Sequence, residues 1–307
     1  MMMDLANFAG AVKNEVEKAV DSNCQIRISD VKKNNGITLK GITIVEDNNN
    51  LSPTVYLNDY YKAYISGETT FANVINDVIG TYHKNKVKQN VDIRYLLDYE
   101  KVRQRIVYKL INAEKNKELL DDIPHIEYLD LAIVFQCLVA QEDTGIATIL
   151  VHNVHQKLWG VSIEELYEAA QVNTQLHLGH EIKTMPEVLC EIMKAENTED
   201  SDHSEYMEEF FEDVQMYVLS NKNRVEGAAC MLYPGLIQEF ADKTGSSLYI
   251  IPSSIHELLL VPTDNDNNYA EIKGMIKEIN DTQVSTQEIL SYSLYFYDRQ
   301  MGDVIRL

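Results

Sequence analysis

The stretch from Met216 to Val261 constrains the fold more than any other part of the chain. MYVLSN alternates like a half-buried strand, KNRVEGAACMLYPGLIQEFADKTG carries apolar residues at helical spacing, and SSLYIIPSSIHELLLV holds two apolar runs bent at Pro252. A strand, a helix and a strand pair in so short a stretch require a sheet covered by the helix between its strands. Asn221 is placed to cap that helix, with Val225, Ala229, Leu232 and Leu236 on its buried face. Pro234 fits only the first turn of a second helical segment, and Gly245 fits its C-terminal cap. Leu248 to Ile251 and Leu258 to Val261 are expected to pair antiparallel.

Upstream, Phe8, Val12, Val16 and Val20 recur in steps of four, which stacks them on one face of an opening helix. Cys24 to Leu57 changes to period two, broken by Lys33-Asn34-Asn35-Gly36, where Asn-Gly supplies the positive φ of a tight hairpin, and again at Asp47 to Asn50, so three short strands are expected. The second break lacks the alternating ligands and terminal Glu of a calcium loop. Thr69 or Thr70 caps a helix bearing Phe71, Val74, Ile75, Val78, Ile79 and Tyr82. Residues 98–120 read as a further helix with Val102, Ile106, Val107 and Leu110 on its apolar side.

Pro124 punctuates the chain, and a boundary between residues 114 and 124 divides it into sub-domains 1–120 and 121–307. Beyond it come a strand from Leu129 to Ala140, a turn at Glu142 to Gly145 and a returning strand from Ile146 to Val151. Ser162-Ile163-Glu164-Glu165 is a capping box opening a helix with Leu166, Ala169 and Ala170. Residues 196–204 form an acidic exposed loop, after which Tyr206, Met207, Phe210, Phe211 and Val214 restore a helical face. Asp264 to Asn268 is a loop, Ala270 to Ile279 a helix with Ile272, Met275, Ile276 and Ile279 inward, and Leu290 to Tyr297 a closing strand. The fold class is therefore α+β, with antiparallel sheets covered by helices in two sub-domains.

Charge narrows the function. Forty-eight acids against 27 bases leave a formal charge of -21, which repels nucleic-acid backbones and anionic membranes. Lys84, Lys86 and Lys88, with Arg94, Lys101, Arg103, Arg105 and Lys109, are the one basic concentration, and an anion would be sought there first. The longest apolar runs, such as Leu129 to Phe135, are too short to span a membrane, and the N-terminus lacks a basic leader, so a cytoplasmic location is expected. Cys24, Cys137, Cys190 and Cys230 are far apart and form no dithiol or metal knuckle.

Ser253, Ser254, His256 and Glu257 are the one tight cluster of nucleophile, base and acid types. On an extended segment Ser254 and His256 share a face while Glu257 points away, so the cluster forms no local relay, and no G-x-S-x-G elbow exists. These four residues are candidates for binding, and no catalytic residue is assigned. His152 and His155, and His177 and His180, stand three apart without the H-E-x-x-H pattern, so no metal is expected. Trp159-Gly160 reads as a hydrophobic staple before the Ser162 cap. With no phosphate-binding or dinucleotide fingerprint, no cofactor is expected.

GITLKGITIVEDNNNLSPTVYLNDYY, DIPHIEYLDLAIVF, LWGVSIEELYEAAQVNT and MYVLSNKNRVEGAACMLYPGLIQEFADKTGSSLYIIPSSIHELLLVP resemble a domain-of-unknown-function family of Firmicutes, chiefly gut Clostridia. The second half is similar, more distantly, to the YtpQ-type uncharacterised family. The resemblance implies a bacterial cytosolic protein and supplies no activity. The function expected is that of a non-enzymatic interaction or binding module with a protein partner, without direct nucleic-acid or membrane binding. Alternatives are a hydrolase or transferase using the Ser253–Glu257 hairpin, and an acidic nucleic-acid mimic that inhibits a basic partner.

Overall fold

The computed structural model describes residues 3–21, 23–46, 52–86, 93–142, 145–195, 215–263 and 269–307. The expectations for Asp47 to Asn50, Lys88, the turn centre at 143–144, the acidic stretch 196–213, the helical face ending at Val214 and the loop Asp264 to Asn268 lie outside those residues. The chain divides into two compact units, Met1–Arg94 and Tyr95–Leu307. The division thus falls before the 114–124 stretch, because the strand Ile106–Asn112 pairs across that stretch with Leu131–Glu142.

In the first unit, α1 (Leu5–Ala19) starts at Asp4, whose carboxylate accepts the Asn7 amide at 2.8 Å. β1 (Cys24–Lys32) and β2 (Thr38–Glu46) pair antiparallel from Cys24↔Glu46 to Lys32↔Thr38. Asn35 (φ 59°) and Gly36 (φ 69°) take the left-handed conformations expected of the turn. β3 (Thr54–Tyr56) adds to β2, and α2 (Asn58–Ser66) and α3 (Phe71–Asn85) follow, with Thr70 capping α3. Phe8, Val12 and Val16 of α1, Val74, Val78 and Tyr82 of α3, and Ile26, Ile42 and Ile44 of the sheet are buried together. Each such side chain stabilises by roughly 1.5–3 kcal/mol.

The second unit begins with α4 (Tyr99–Val102), and then departs from expectation. Residues 106–112 are not helical: β4 (Ile106–Asn112) is a strand buried on both faces. Ile106, Tyr108 and Leu110 face one core while Ile111 faces another, so apolar residues fall on both faces, interrupted only by Lys109 and Asn112, and their periodicity cannot separate helix from strand. After α5 (Lys117–Leu120) and β5 (His125–Tyr128), β6 (Leu131–Glu142) pairs with β4 on one side and with β5 and β7 (Gly145–Leu150) on the other. α6 (Asn153–Trp159) ends at Gly160, and α7 (Ile163–Leu178) opens with the expected capping box.

A six-stranded antiparallel sheet completes the unit. β8 (Glu181–Thr184), β9 (Tyr217–Ser220), β10 (Ser247–Ile251), β11 (Leu258–Thr263), β12 (Tyr295–Asp298) and β13 (Asp303–Arg306) lie in the order β13-β12-β10-β11-β9-β8, with α8 (Met185–Ala195) after β8. Ile133 and Phe135 of β6, Leu248 and Ile250 of β10, and Leu166 and Ala170 of α7 share one core. The helix Tyr269–Thr282 packs Ile276 on the sheet's opposite side, against Tyr249 and Ile251. Met275 and Ile279, expected inward, are instead exposed (54% for Met275). The closing strand is shorter than expected, since residues 290–294 are irregular although Leu290 and Leu294 are buried.

The stretch between β9 and β10 holds the main correction. No long helix starts at Asn221; its side-chain oxygen accepts the Asn223 and Val225 amides and so shapes a loop. Arg224 (φ 52°) and Glu226 (φ 56°) are left-handed there, a 3-10 segment spans Gly227–Leu232, and only Leu236–Thr244 is α-helical. Val225, expected on the buried face, is 41% exposed. Among the described residues no helix is long and apolar enough to cross a membrane.

Candidate binding site

The Ser253–Glu257 turn is held by backbone hydrogen bonds to two segments. Ile255 donates to Glu288 O at 2.8 Å, and Leu290 and Ser291 donate to Ser253 O and Pro252 O. From the other segment, Ala228 donates to Ile255 O at 3.1 Å. Gly227 permits the close approach: a Cβ there would lie 2.5 Å from His256 O and 2.2 Å from Ser220 Oγ. Ser220 Oγ donates to that same His256 carbonyl at 2.7 Å.

The side chains complete this clasp. Ser254 Oγ accepts the amide of His256 at 3.0 Å, so serine and histidine meet through the backbone and not through the imidazole. His256 Nδ1 accepts the Glu226 amide at 3.2 Å, which assigns the ring proton to Nε2. Nε2 faces Glu288 Oε1 at 3.8 Å, within ion-pair range and beyond hydrogen-bond length. The carboxylate nearest the imidazole is therefore Glu288, distant in sequence, and not Glu257. Ser253 and Glu257 remain partly exposed.

The left-handed Glu226 sends its carboxylate to Lys109 Nζ at 2.6 Å. The Gln136 amide closes the group: with its oxygen and nitrogen exchanged, the nitrogen donates to Glu226 Oε2 at 2.9 Å and the oxygen accepts from Lys109 Nζ at 3.0 Å. This satisfied cluster borders a cavity of about 180 Å³ whose other walls include Val107, Leu138 and Leu178. Other members of the expected anion-binding concentration are similarly occupied. Lys86 binds Glu46 at 2.5 Å, Lys101 lies 3.3 Å from Asp98, and Arg105 donates to Val139 O and stands over the Tyr95 ring.

His152, His155 and His177 make local contacts. His152 Nδ1 is 2.7 Å from Asp122 Oδ2, and the His152 amide donates to His155 Nδ1 at 3.0 Å. Desolvation, with His152 beside it, holds the His155 imidazole below its usual pKa. His177 Nε2 contacts Gln104 O at 2.8 Å. Among the described residues no group of three or more His, Cys, Asp or Glu side chains could hold a metal ion.

A second concave surface lies where α4, the end of α6 and the start of α7 meet, with a volume of about 560 Å³. Trp159 and Tyr99 form its aromatic wall, ring centroids 6.0 Å apart. Trp159 Nε1 donates to Leu96 O at 2.8 Å, and Tyr99 Oη donates to Glu165 O at 3.4 Å, so both rings are anchored by their polar ends. Asp98, Glu100, Glu165 and Glu168 line it beside one base, Arg103. Burial raises the Tyr99 hydroxyl's pKa, Arg103 opposes the rise, and Glu165, Glu100 and Glu168 add to it. Glu165 is fixed by the capping box, its Oε2 accepting the Ser162 amide at 2.8 Å. Trp159, read from the sequence as a staple, thus also walls a groove assembled from separated segments. The available sequence signal was the recurrence of Glu165, Glu168, Val172 and Leu176 along one side of α7.

A family model matches residues 5–299, and the chain belongs to that family, a family of unknown function (DUF5688). Comparisons with curated proteins and with solved structures found no match.

Proposed function

We propose that this member of the DUF5688 family works by binding a protein partner rather than by catalysis. The observation that carries the reading is the state of His256. A general base must present an unprotonated ring nitrogen to its nucleophile. Here Nδ1 accepts the Glu226 amide, Nε2 faces Glu288, and Ser254 Oγ accepts a backbone amide, so neither serine nor histidine is arranged for proton transfer between them. The charge of -21 favours a basic partner and disfavours direct contact with nucleic acid or anionic membrane. A bacterial, cytoplasmic setting belongs to the same proposal. Within the turn, the partly exposed Ser253 and Glu257 are the residues open to recognition, whereas Ser254 and His256 hold the backbone.

The test pairs capture with turnover. Immobilised wild-type chain should retain a basic protein partner from host lysate that rebinds as purified protein and is released by salt, and Ser253→Ala/Glu257→Lys reports whether the turn takes part. Competition by an oligonucleotide for the purified partner would identify the nucleic-acid-mimic case. Turnover of an ester or phosphoester by wild type, lost in a folded His256→Asn variant, would replace the binding reading with the hydrolase one.

A further inference from the structure

Resting on the binding reading, we propose that the groove walled by Tyr99 and Trp159, together with the outer face of α7, docks an arginine-bearing amphipathic segment of the partner protein. Three features select that occupant. The first is charge. Asp98 lies beside Lys101 and Glu165 is engaged in the capping box, while Glu100 and Glu168 have no ion-pair partner among the described residues. Both are exposed, and both lie near enough to Tyr99 to affect its hydroxyl. Four carboxylates against the single base Arg103 leave the groove with net negative charge to offer a cation.

The second feature is the aromatic wall. A guanidinium stacks on aromatic faces and bonds carboxylates through a planar fork, and is less strongly hydrated than an ammonium. Arginine satisfies rings and acids together, and lysine satisfies them less well.

The third feature is the apolar band that continues from the groove. Leu97 (64% exposed) and Leu158 stand at the groove. Val172 (65%) and Leu176 (74%) lie on the same side of α7 as Glu165 and Glu168, opposite the buried Leu166, Ala170 and Thr174. At the helical rise the line from Glu165 to Leu176 is about 16 Å long, its apolar part from Val172 to Leu176 covering about 6 Å, and the whole is enough for about three turns of a helix or five extended residues. Solvent-facing Val and Leu in line with an acidic, aromatic groove match a segment with apolar residues along its length and a cation at one end. A second copy of this chain fits less well, because two such acidic molecules repel.

Trp159 is the chain's single tryptophan, so intrinsic fluorescence reads this groove directly. The full chain is titrated with a short amphipathic peptide of arginine and leucine, and with versions carrying lysine or glutamate for arginine. The arginine peptide should change Trp159 emission and bind severalfold more tightly than the lysine peptide, and the glutamate peptide should not bind. Glu100→Lys/Glu168→Lys and Val172→Ser/Leu176→Ser should each weaken binding by about tenfold or more. Glu68→Lys/Asp77→Lys, with the same change of net charge but in the other unit, should weaken it far less. Equal binding by both groove variants and wild type, or equal loss in the unit-one control, would overturn the inference. If sedimentation shows a dimer abolished by Leu176→Ser, a second copy occupies the band and the inference is likewise wrong. A purified partner that binds both groove variants as it binds wild type would leave the binding reading standing and remove only its placement here.

Discussion

Gly227→Ala tests the clasp that immobilises the 252–257 turn. The added methyl would lie 2.2 Å from Ser220 Oγ, 2.5 Å from His256 O and 2.6 Å from the Asn221 amide nitrogen. Two of these are backbone atoms, so no rotamer change relieves the contact. The methyl also crowds both partners of the Ser220 Oγ to His256 O hydrogen bond. Losing that bond costs about 1 kcal/mol, and separating the tightly packed segments costs about 1–3 kcal/mol more. A loss near 3 kcal/mol lowers Tm by roughly 6–12 °C for a unit of this size. Thermal and urea unfolding of the two proteins measures it. Gly274→Ala is the control of opposite sign, because a Cβ there meets nothing within 4 Å. That change should stabilise the helix Tyr269–Thr282 by up to about 1 kcal/mol. If Gly227→Ala unfolded within about 0.5 kcal/mol of wild type, the close packing that places His256 against Glu226 would be wrong.

Ser162→Ala removes the hydroxyl that accepts the Glu165 amide at 3.2 Å, and should cost about 1 kcal/mol in urea unfolding. The Glu46 carboxyl is held below its ordinary pKa by the Lys86 ammonium and then by the Tyr82 hydroxyl. A depressed carboxylate stabilises fully above its unfolded-state pKa and loses that contribution as pH falls through its folded-state value, so the Tm difference between wild type and Glu46→Gln should shrink on acidification through that window. Burial pushes the Cys137 and Cys230 thiols up to about 11 and about 12. A thiol-labelling time course should show the half-buried Cys24 and Cys190 reacting first, with Cys137 and Cys230 reacting only on unfolding.

The candidate turn shows how far a single stretch can be read. Leu248 to Ile251 and Leu258 to Val261 announced their pairing by apolar runs on either side of Pro252, and the structure pairs them antiparallel. The chemistry between them was not local. His256 meets Glu226 and Glu288, each about thirty residues away, and sequence proximity had offered Glu257 in their place. The Tyr99–Trp159 groove is more distant still, since no spacing rule connects α4 with α6.

What the sequence determined by itself were the features set by local physics. The Asn35-Gly36 turn needs backbone that tolerates positive φ, the Ser162–Glu165 box satisfies helix-end amides, and the four-residue steps of α1 line one face; all three stand in the structure. Tertiary structure decided the segments whose patterns suit two conformations. Residues 106–112 carry apolar side chains on both faces, and became a strand because β6 supplies backbone partners along their length. Residues 221–233 have helical spacing, yet Glu226 turns left-handed where its amide reaches His256, its carboxylate reaches Lys109 and Gly227 packs against Ser220. Those contacts outweigh a helix propensity of a few tenths of a kcal/mol per residue, and they exist only once β4, β9 and the 252–257 turn have come together.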